Sequence, residues 1–198
     1  WGVPDHLVFS RASQEISKMK EPFFTVVLTQ STHEPYDSPI SNKEKITEKT
    51  ELYNACASYT DSAISKFINS CKSKPWFNNT LFVFVSDHSH RFPLNRTFNE
   101  HERFKIPLLF YGNVIDTAFS GKQVSLLSNH HDIPATLLSQ LNMEHANYPF
   151  SKNMFSTNSI PFAYWCTDFS MGWLEAQQKI GINLHNASVF MKEKSQDA

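Results

Sequence analysis

Leu81-Phe82-Val83-Phe84-Val85, followed at once by Ser86-Asp87-His88-Ser89-His90-Arg91, is the stretch on which the fold turns. Five apolar residues in a row leave no polar face. Such a strand is predicted to be central in a sheet and covered by helices on both sides, as strands of parallel sheets are. Two other runs share this texture, Phe23-Phe24-Thr25-Val26-Val27-Leu28 and Ile106 to Tyr111. Between and around them lie helical patterns. Asp5 is placed to cap a helix running to about Lys20, with Leu7, Ile16 and Met19 among its apolar positions and Pro22 beyond its end. Leu52, Ala55, Tyr59, Ala63, Phe67 and Ile68 recur at spacings of three and four, which predicts one helix from about Glu51 to Ser73, ended at Pro75. Asp132 is placed to cap a third helix through about Leu141, with Pro134 in its first turn. The order of elements predicts an α/β layered domain with a mostly parallel sheet. From Pro149 the texture changes, and Phe162–Cys166 and Met171–Leu174 read as short antiparallel strands of a small appended element.

Composition narrows the function classes. The chain has 198 residues, 40% of them hydrophobic and 14% aromatic, with Phe contributing 17. That is enough apolar surface for a good-sized core and excludes a disordered chain. Lys+Arg 18 against Asp+Glu 19 gives a net charge of -1, so nucleic acid is not expected as a partner. The best apolar run is strand-sized, far short of a bilayer span. Cys56 and Cys71 fall on one predicted helix, ~22 Å apart, too far to be bridged. With Trp1 in first place, the chain is expected to be a piece of a longer protein.

Ligands of open α/β sheets bind beyond the carboxyl ends of the strands. Two polar clusters occupy such places: Ser31-Thr32-His33 after the first strand and Asp87-His88-Ser89-His90 after the central one. A carboxylate and a neutral imidazole suit a divalent cation such as Mn²⁺ or Zn²⁺, provided the chain turns so that both reach one ion. The same pair could equally serve a turn, with Asp87 accepting backbone N–H bonds. His33, before Glu34-Pro35, reads on its own as a loop residue. His101, His130 and His131 read as exposed loop histidines, and Asp132 as a helix cap.

Taken in order, the motifs resemble a known family. They are Trp1-Gly2-Val3-Pro4-Asp5, Glu21-Pro22-Phe23-Phe24, Ser31-Thr32-His33-Glu34-Pro35-Tyr36, Tyr53-Asn54-Ala55, Tyr59-Thr60-Asp61, Trp76-Phe77-Asn78-Asn79-Thr80, Ser86-Asp87-His88, Ile106-Pro107-Leu108-Leu109 and Asp132-Ile133-Pro134-Ala135-Thr136-Leu137-Leu138. The set is similar to the C-terminal part of the catalytic domain of lipoteichoic acid synthase-like proteins, in the sulfatase branch of the alkaline phosphatase superfamily. The resemblance implies a three-layer α/β/α, alkaline-phosphatase-like fold. Residues 1–150 would be the C-terminal half of the catalytic domain, and residues 151–198 a small β-rich appendage. It implies a phosphoglycerol-type transferase, or a phosphodiester or sulfate ester hydrolase. Such an enzyme works through a Ser or Thr nucleophile and a divalent metal ion (Mn, Zn, Ca or Mg). Asp87 and His88 match the family's metal-binding pair, and His33 its substrate-site histidine. His90 and Arg91, by position, are added as candidates to clamp an anionic phosphate or sulfate ester, such as a phospholipid head group. The nucleophile matches nothing in this chain and is expected upstream, in an N-terminal half that carries a membrane anchor and holds the catalytic domain outside the cytoplasm. These residues alone are then expected to be inactive. Ser89 stands where the family usually has Gly. A sulfatase or phosphatase using water as acceptor, and a non-catalytic module on the same fold, are the competing readings.

Overall fold

A computed structural model describes residues 2–194; Trp1, at the head of the first motif, lies outside the described residues. The chain divides into two compact units, one of residues 1–96 with 106–120 and one of 97–105 with 121–198.

The first unit is built on a helix pair. Helix α1 spans Asp5–Ile16 and helix α2 spans Lys49–Cys71. Phe9 and Ile16, two turns apart on α1, meet Ala63, Phe67, Ile68 and Cys71 of α2, and Phe9 stacks on Phe67 with ring centroids 5.0 Å apart. Leu7 and Met19, expected on the apolar stripe, are about half exposed, because α1 ends at Ile16 and its buried face runs through Phe9. Trp76 and Phe77, in the turn after α2, complete the buried cluster. Phe23, Val27, Phe82 and Phe84 pack against it from the neighbouring extended segments.

The parallel sheet expected from the apolar runs is not what these residues form. Strand β1 (Phe82–Val85) pairs antiparallel with β2 (Leu108–Tyr111), Phe82 opposite Tyr111 and Val85 opposite Leu108. The described residues contain a two-stranded and a four-stranded sheet, both antiparallel, and no parallel pair. The reason lies in the connection. A parallel return needs a crossover, usually a helix. The segment from 86 to 107 carries only turns and a short 3-10 helix, His101–Phe104, so the chain comes back antiparallel. The run 23–28 is extended but joins no ladder. Phe23 and Val27 face the helix pair, whereas Phe24 is 83% exposed and Val26 76%. Helices thus cover one face of these segments, not both. The fold is mixed α/β without the three-layer parallel core.

In the second unit, helix α3 (Asp132–Gln140) precedes an antiparallel meander of β3 (Phe162–Cys166), β4 (Ser170–Glu175), β5 (Gln178–Asn183) and β6 (Val189–Lys194). Asp132 is fully buried and does not make the cap expected of it: the first turn of α3 has no side-chain cap, and the carboxylate bonds elsewhere. It accepts from the backbone N–H of Asn129 and Lys152 and from Lys152 Nζ at 2.6 Å, so it staples the strand-preceding segment to α3. In the meander, Trp165 lies against Gly172 across the β3–β4 pair. A Cβ at Gly172 would sit 2.1 Å from the indole ring, so only glycine fits there.

Two substitutions separate the covered from the uncovered face. Phe67→Ala is expected to cost about 3–5 kcal/mol of stability by opening a cavity in the helix pair. Phe24→Ala is expected to cost no more than about 0.5 kcal/mol. Denaturant unfolding of both variants checks this, and a large loss at Phe24 would show that the run 23–28 is packed on both faces.

Candidate functional site

The loop after the extended run 23–28 is held from below. Ser31, Tyr36 and Ser38 are buried, while His33, Glu34 and Pro35 stand exposed between them. Ser38 Oγ donates to the Ser31 carbonyl at 2.7 Å. The His33 N–H donates to the Gln30 carbonyl at 3.0 Å, and the Tyr36 N–H to the His33 carbonyl at 2.8 Å. Two linked turns therefore project His33 outward. Its Nδ1 lies 2.5 Å from the Glu34 carbonyl, which places the proton of the neutral ring on Nδ1 and the lone pair on Nε2. Gly2, Val3, Pro4, Gln30, Ser31, His33, Pro35 and Asp37 line a small cleft here.

The base of this loop is gripped by Asp5. It is the first residue of α1, fully buried, and Ser31 rather than Asp5 itself meets the helix N-terminus: the Asp5 N–H donates to Ser31 Oγ at 3.1 Å. The Asp5 carboxylate accepts from the N–H groups of Gln30 and Ser31 and from the Thr60 hydroxyl of α2. The partners lie 25, 26 and 55 residues away, so no local pattern could have announced them.

Beyond β1 the chain turns sharply, as a shared ligand role for Asp87 and His88 requires. Asp87 Oδ1 accepts from the His88 N–H at 2.9 Å, and His88 Nδ1 donates to the Ser89 carbonyl at 2.8 Å. That bond leaves the lone pair of the neutral His88 ring on Nε2, which lies 3.7 Å from Asp87 Oδ2. The two side chains are on the same side and well exposed. A cation bound at ~2.1 Å by each would fit between donors spaced this way. The pair supplies two donors, and among the described residues no group of three or more His, Cys, Asp or Glu side chains gathers to hold an ion.

His90 and Arg91 have different surroundings. The His90 ring stacks on Tyr53 of α2, centroids 4.6 Å apart, and lies 5.2 Å from Phe92. Its Nδ1 accepts from the Phe92 N–H at 3.1 Å, and its Nε2 faces the Tyr36 hydroxyl at 3.4 Å. Both ring nitrogens thus have partners within the protein. The Arg91 guanidinium lies 4.7 Å over the Phe92 ring. The cluster of Tyr36, Tyr53, His90 and Phe92 ties the loop after the run 23–28 and the loop after β1 to α2. Tyr36 and Tyr53 carry no signal in the sequence beyond their place in the motifs. Burial, with the Glu34 charge beside it, pushes the Tyr36 phenol up to about 12. It therefore stays a neutral hydroxyl at neutral pH. Of the other histidines, His101 is mostly buried rather than exposed, and burial holds its imidazole below the usual range.

This arrangement, exposed polar loops after apolar extended segments that rest on a helix pair, is mixed α/β and alkaline phosphatase-like. A solved protein of the alkaline phosphatase superfamily from Vibrio parahaemolyticus superposes with a TM-score of 0.76 at 25% identity, over 96% of this chain and 46% of that one. The lipoteichoic acid synthase LtaP from Listeria monocytogenes shares the fold with a TM-score of 0.64 at 16% identity, over 96% of this chain and 54% of that one. The Sulfatase family model matches residues 1–143, and the chain belongs to that family. Lipoteichoic acid synthase of Staphylococcus aureus, in strain USA300 and likewise in strain NCTC 8325, is 28% identical over 94 residues. The match covers 44% of this chain and 14% of the relative, so the chain spans only a small part of the length of the curated relatives it matches.

The phenol of Tyr36 gives a test by pH. Its folded value exceeds its unfolded value near 10, so the folded state favours the protonated form. Below pH 10 both states keep the proton and nothing is lost. Between pH 10 and about 12 the unfolded chain ionises first, and stability falls by roughly 2 kcal/mol. Tyr36→Phe is expected to remove that increment from the alkaline loss, read by denaturant unfolding across this range. An unchanged alkaline slope would mean that the phenol is solvated.

Proposed function

We propose that these residues form the part of a metal-dependent phosphoglycerol-type transferase, or of a phosphodiester or sulfate ester hydrolase, that carries the Asp87–His88 pair and His33. Sulfatase family membership supports an enzyme of this superfamily acting on esters. The observation that carries the finer reading is the convergence of Asp87 Oδ2 and His88 Nε2, 3.7 Å apart at the end of β1. An oxygen and an imidazole nitrogen are donors that Mn²⁺, Zn²⁺ and, for the oxygen, Ca²⁺ or Mg²⁺ accept. Asp87 and His88 would hold part of the ion's coordination shell, with the remaining donors supplied from outside these residues. When bound, a divalent cation supplies positive charge that polarises the ester and favours ionisation of a nearby hydroxyl.

The chain's own groups do the rest. Both His33 and His88 are fixed in the Nδ1–H form by a neighbouring carbonyl. Nε2 of His33 is then the atom that accepts a proton or, once protonated, donates one to an ester oxygen. Arg91 and His90 are the groups that would bind an anionic substrate, Arg91 as its cation. The Ser or Thr nucleophile is assigned to a part of the domain outside these residues. The substrate is an anionic phosphate or sulfate ester, with a glycerophospholipid head group as the leading candidate. A membrane-anchored protein with its catalytic domain outside the cytoplasm suits that substrate. Among the described residues no helix is long and apolar enough to cross a membrane.

Phosphatidylglycerol with a fluorescent acyl chain tests the reading in the full-length protein. Formation of labelled diacylglycerol is expected, with the head group transferred to a lipid or glycan acceptor; free glycerol phosphate would identify water as the acceptor. Asp87→Ala and His88→Ala are each expected to lower turnover at least about 100-fold, and His33→Ala about 10-fold or more. Calorimetric titration with Mn²⁺ or Zn²⁺ should lose its heat in Asp87→Ala. Equal heats in native protein and variant would end the metal assignment and leave a non-catalytic module.

A further inference from the structure

We infer that Asp5 is a positioning residue for His33; the inference rests on the reading of His33 as a substrate-site group. Asp5 is fully buried, and its two oxygens are divided between two elements. Oδ1 accepts from the Gln30 N–H at 3.0 Å and the Ser31 N–H at 3.2 Å, both in the loop. Oδ2 accepts from the Thr60 hydroxyl of α2 at 2.8 Å. Each loop residue that Asp5 grips passes the constraint on. The Gln30 carbonyl closes the turn on the His33 N–H, and the Ser31 carbonyl receives the Ser38 hydroxyl on the far side of the loop. The same Gln30 and Ser31 line the cleft that His33 borders.

Capping α1 does not account for a carboxylate at this position. The N–H of Asp5 is already met by Ser31 Oγ, and a buried charge is a costly way to end a helix that a neutral residue would serve. What a carboxylate adds is a rigid acceptor with two oxygens, able to fix two adjacent loop N–H groups against α2. A helix N-terminus favours negative charge there. The arrangement is that of a group which orients another group without touching substrate, and loss of such support misplaces the reacting side chain by fractions of an ångström.

Asparagine separates charge from geometry. Its Oδ1 would accept the same two N–H groups, and its Nδ2 would donate to Thr60 Oγ1, since a hydroxyl accepts as readily as it donates. Alanine keeps neither. In the full-length protein, with fluorescent phosphatidylglycerol as donor, Asp5→Ala is expected to lower kcat about 30-fold with KM within about 3-fold, and Asp5→Asn to stay within about 3-fold of native. The deciding measurement is the same substitution in a His33→Ala background, where Asp5→Ala should cost less than about 3-fold because the group it positions is gone. Should Asp5→Ala not fold, as its thermal melt will tell, Thr60→Val removes a single bond from the same lock. A kcat loss of about 5-fold is expected of it, again confined to the background that keeps His33. Equal losses in both backgrounds would overturn the positioning role while leaving His33 in place, and so would an asparagine variant as impaired as alanine. If His33→Ala itself leaves turnover unchanged, the functional reading of His33 fails, and the role given to Asp5 fails with it.

Discussion

Two carboxylates with no exposure to water organise this chain, one in each unit. Asp5 opens α1 and Asp132 opens α3. An ionised carboxylate buried without partners would cost several kcal/mol, so each must collect donors from wherever the chain can bring them. Asp5 collects two backbone N–H groups of the loop that carries His33, together with Thr60. Asp132 collects Asn129, the Lys152 backbone and the Lys152 ammonium. In both cases the first residue of a helix becomes the anchor of a segment remote in sequence. Irregular chain is thereby given a fixed position without a sheet ladder to hold it. That matters most in the first unit, where the run 23–28 has no strand partner and the loop after it would otherwise hang from a single end.

Helices were the most legible part of the sequence. The spacing of Ala63, Phe67 and Ile68 speaks directly of the face that α2 buries, and α2 is found within two residues of its predicted ends. The apolar runs were legible as buried chain but not as sheet. Residues such as Phe82, Val83 and Phe84 record that both sides of a segment dislike water; they do not record which way the next strand runs. The connection records that. A segment from 86 to 107 without an α-helix points to an antiparallel return, and that signal lies outside the apolar runs themselves. The last two strands, Gln178–Asn183 and Val189–Lys194, were missed for a different reason. Their lysines, glutamate and glutamine sit on a meander with one wet face, and that dilutes the apolar signal.

The exposure of Phe24, Val26 and Leu28 has the same origin. The run reads in sequence as a buried strand, yet the described residues pack only one side of it, through Phe23 and Val27. A row of large apolar side chains at 83%, 76% and 66% exposure is more than scattered surface hydrophobicity. The apolar pattern therefore carries information about a surface that these residues do not themselves cover.

Within the candidate site, residue type alone does not tell one histidine from another. His33, His88 and His90 follow extended segments and share one chemistry on paper, but the chain treats them differently. His33 and His88 are exposed and spend Nδ1 on a carbonyl one residue away, which orients Nε2. His90 lies against Tyr53, takes the Phe92 N–H on Nδ1 and faces Tyr36 with Nε2. A histidine that accepts on Nδ1 carries its neutral proton on Nε2, the opposite tautomer to its two neighbours. Protonating it would set an N–H against the Phe92 N–H. Its ring is stacked and hydrogen-bonded on both nitrogens, whereas Arg91 beside it lies over the Phe92 ring. The aromatic cluster is then best understood as the mount that fixes the loop after the run 23–28 and the loop after β1 against α2. Ring nitrogen geometry separates these roles, and no sequence pattern encodes it.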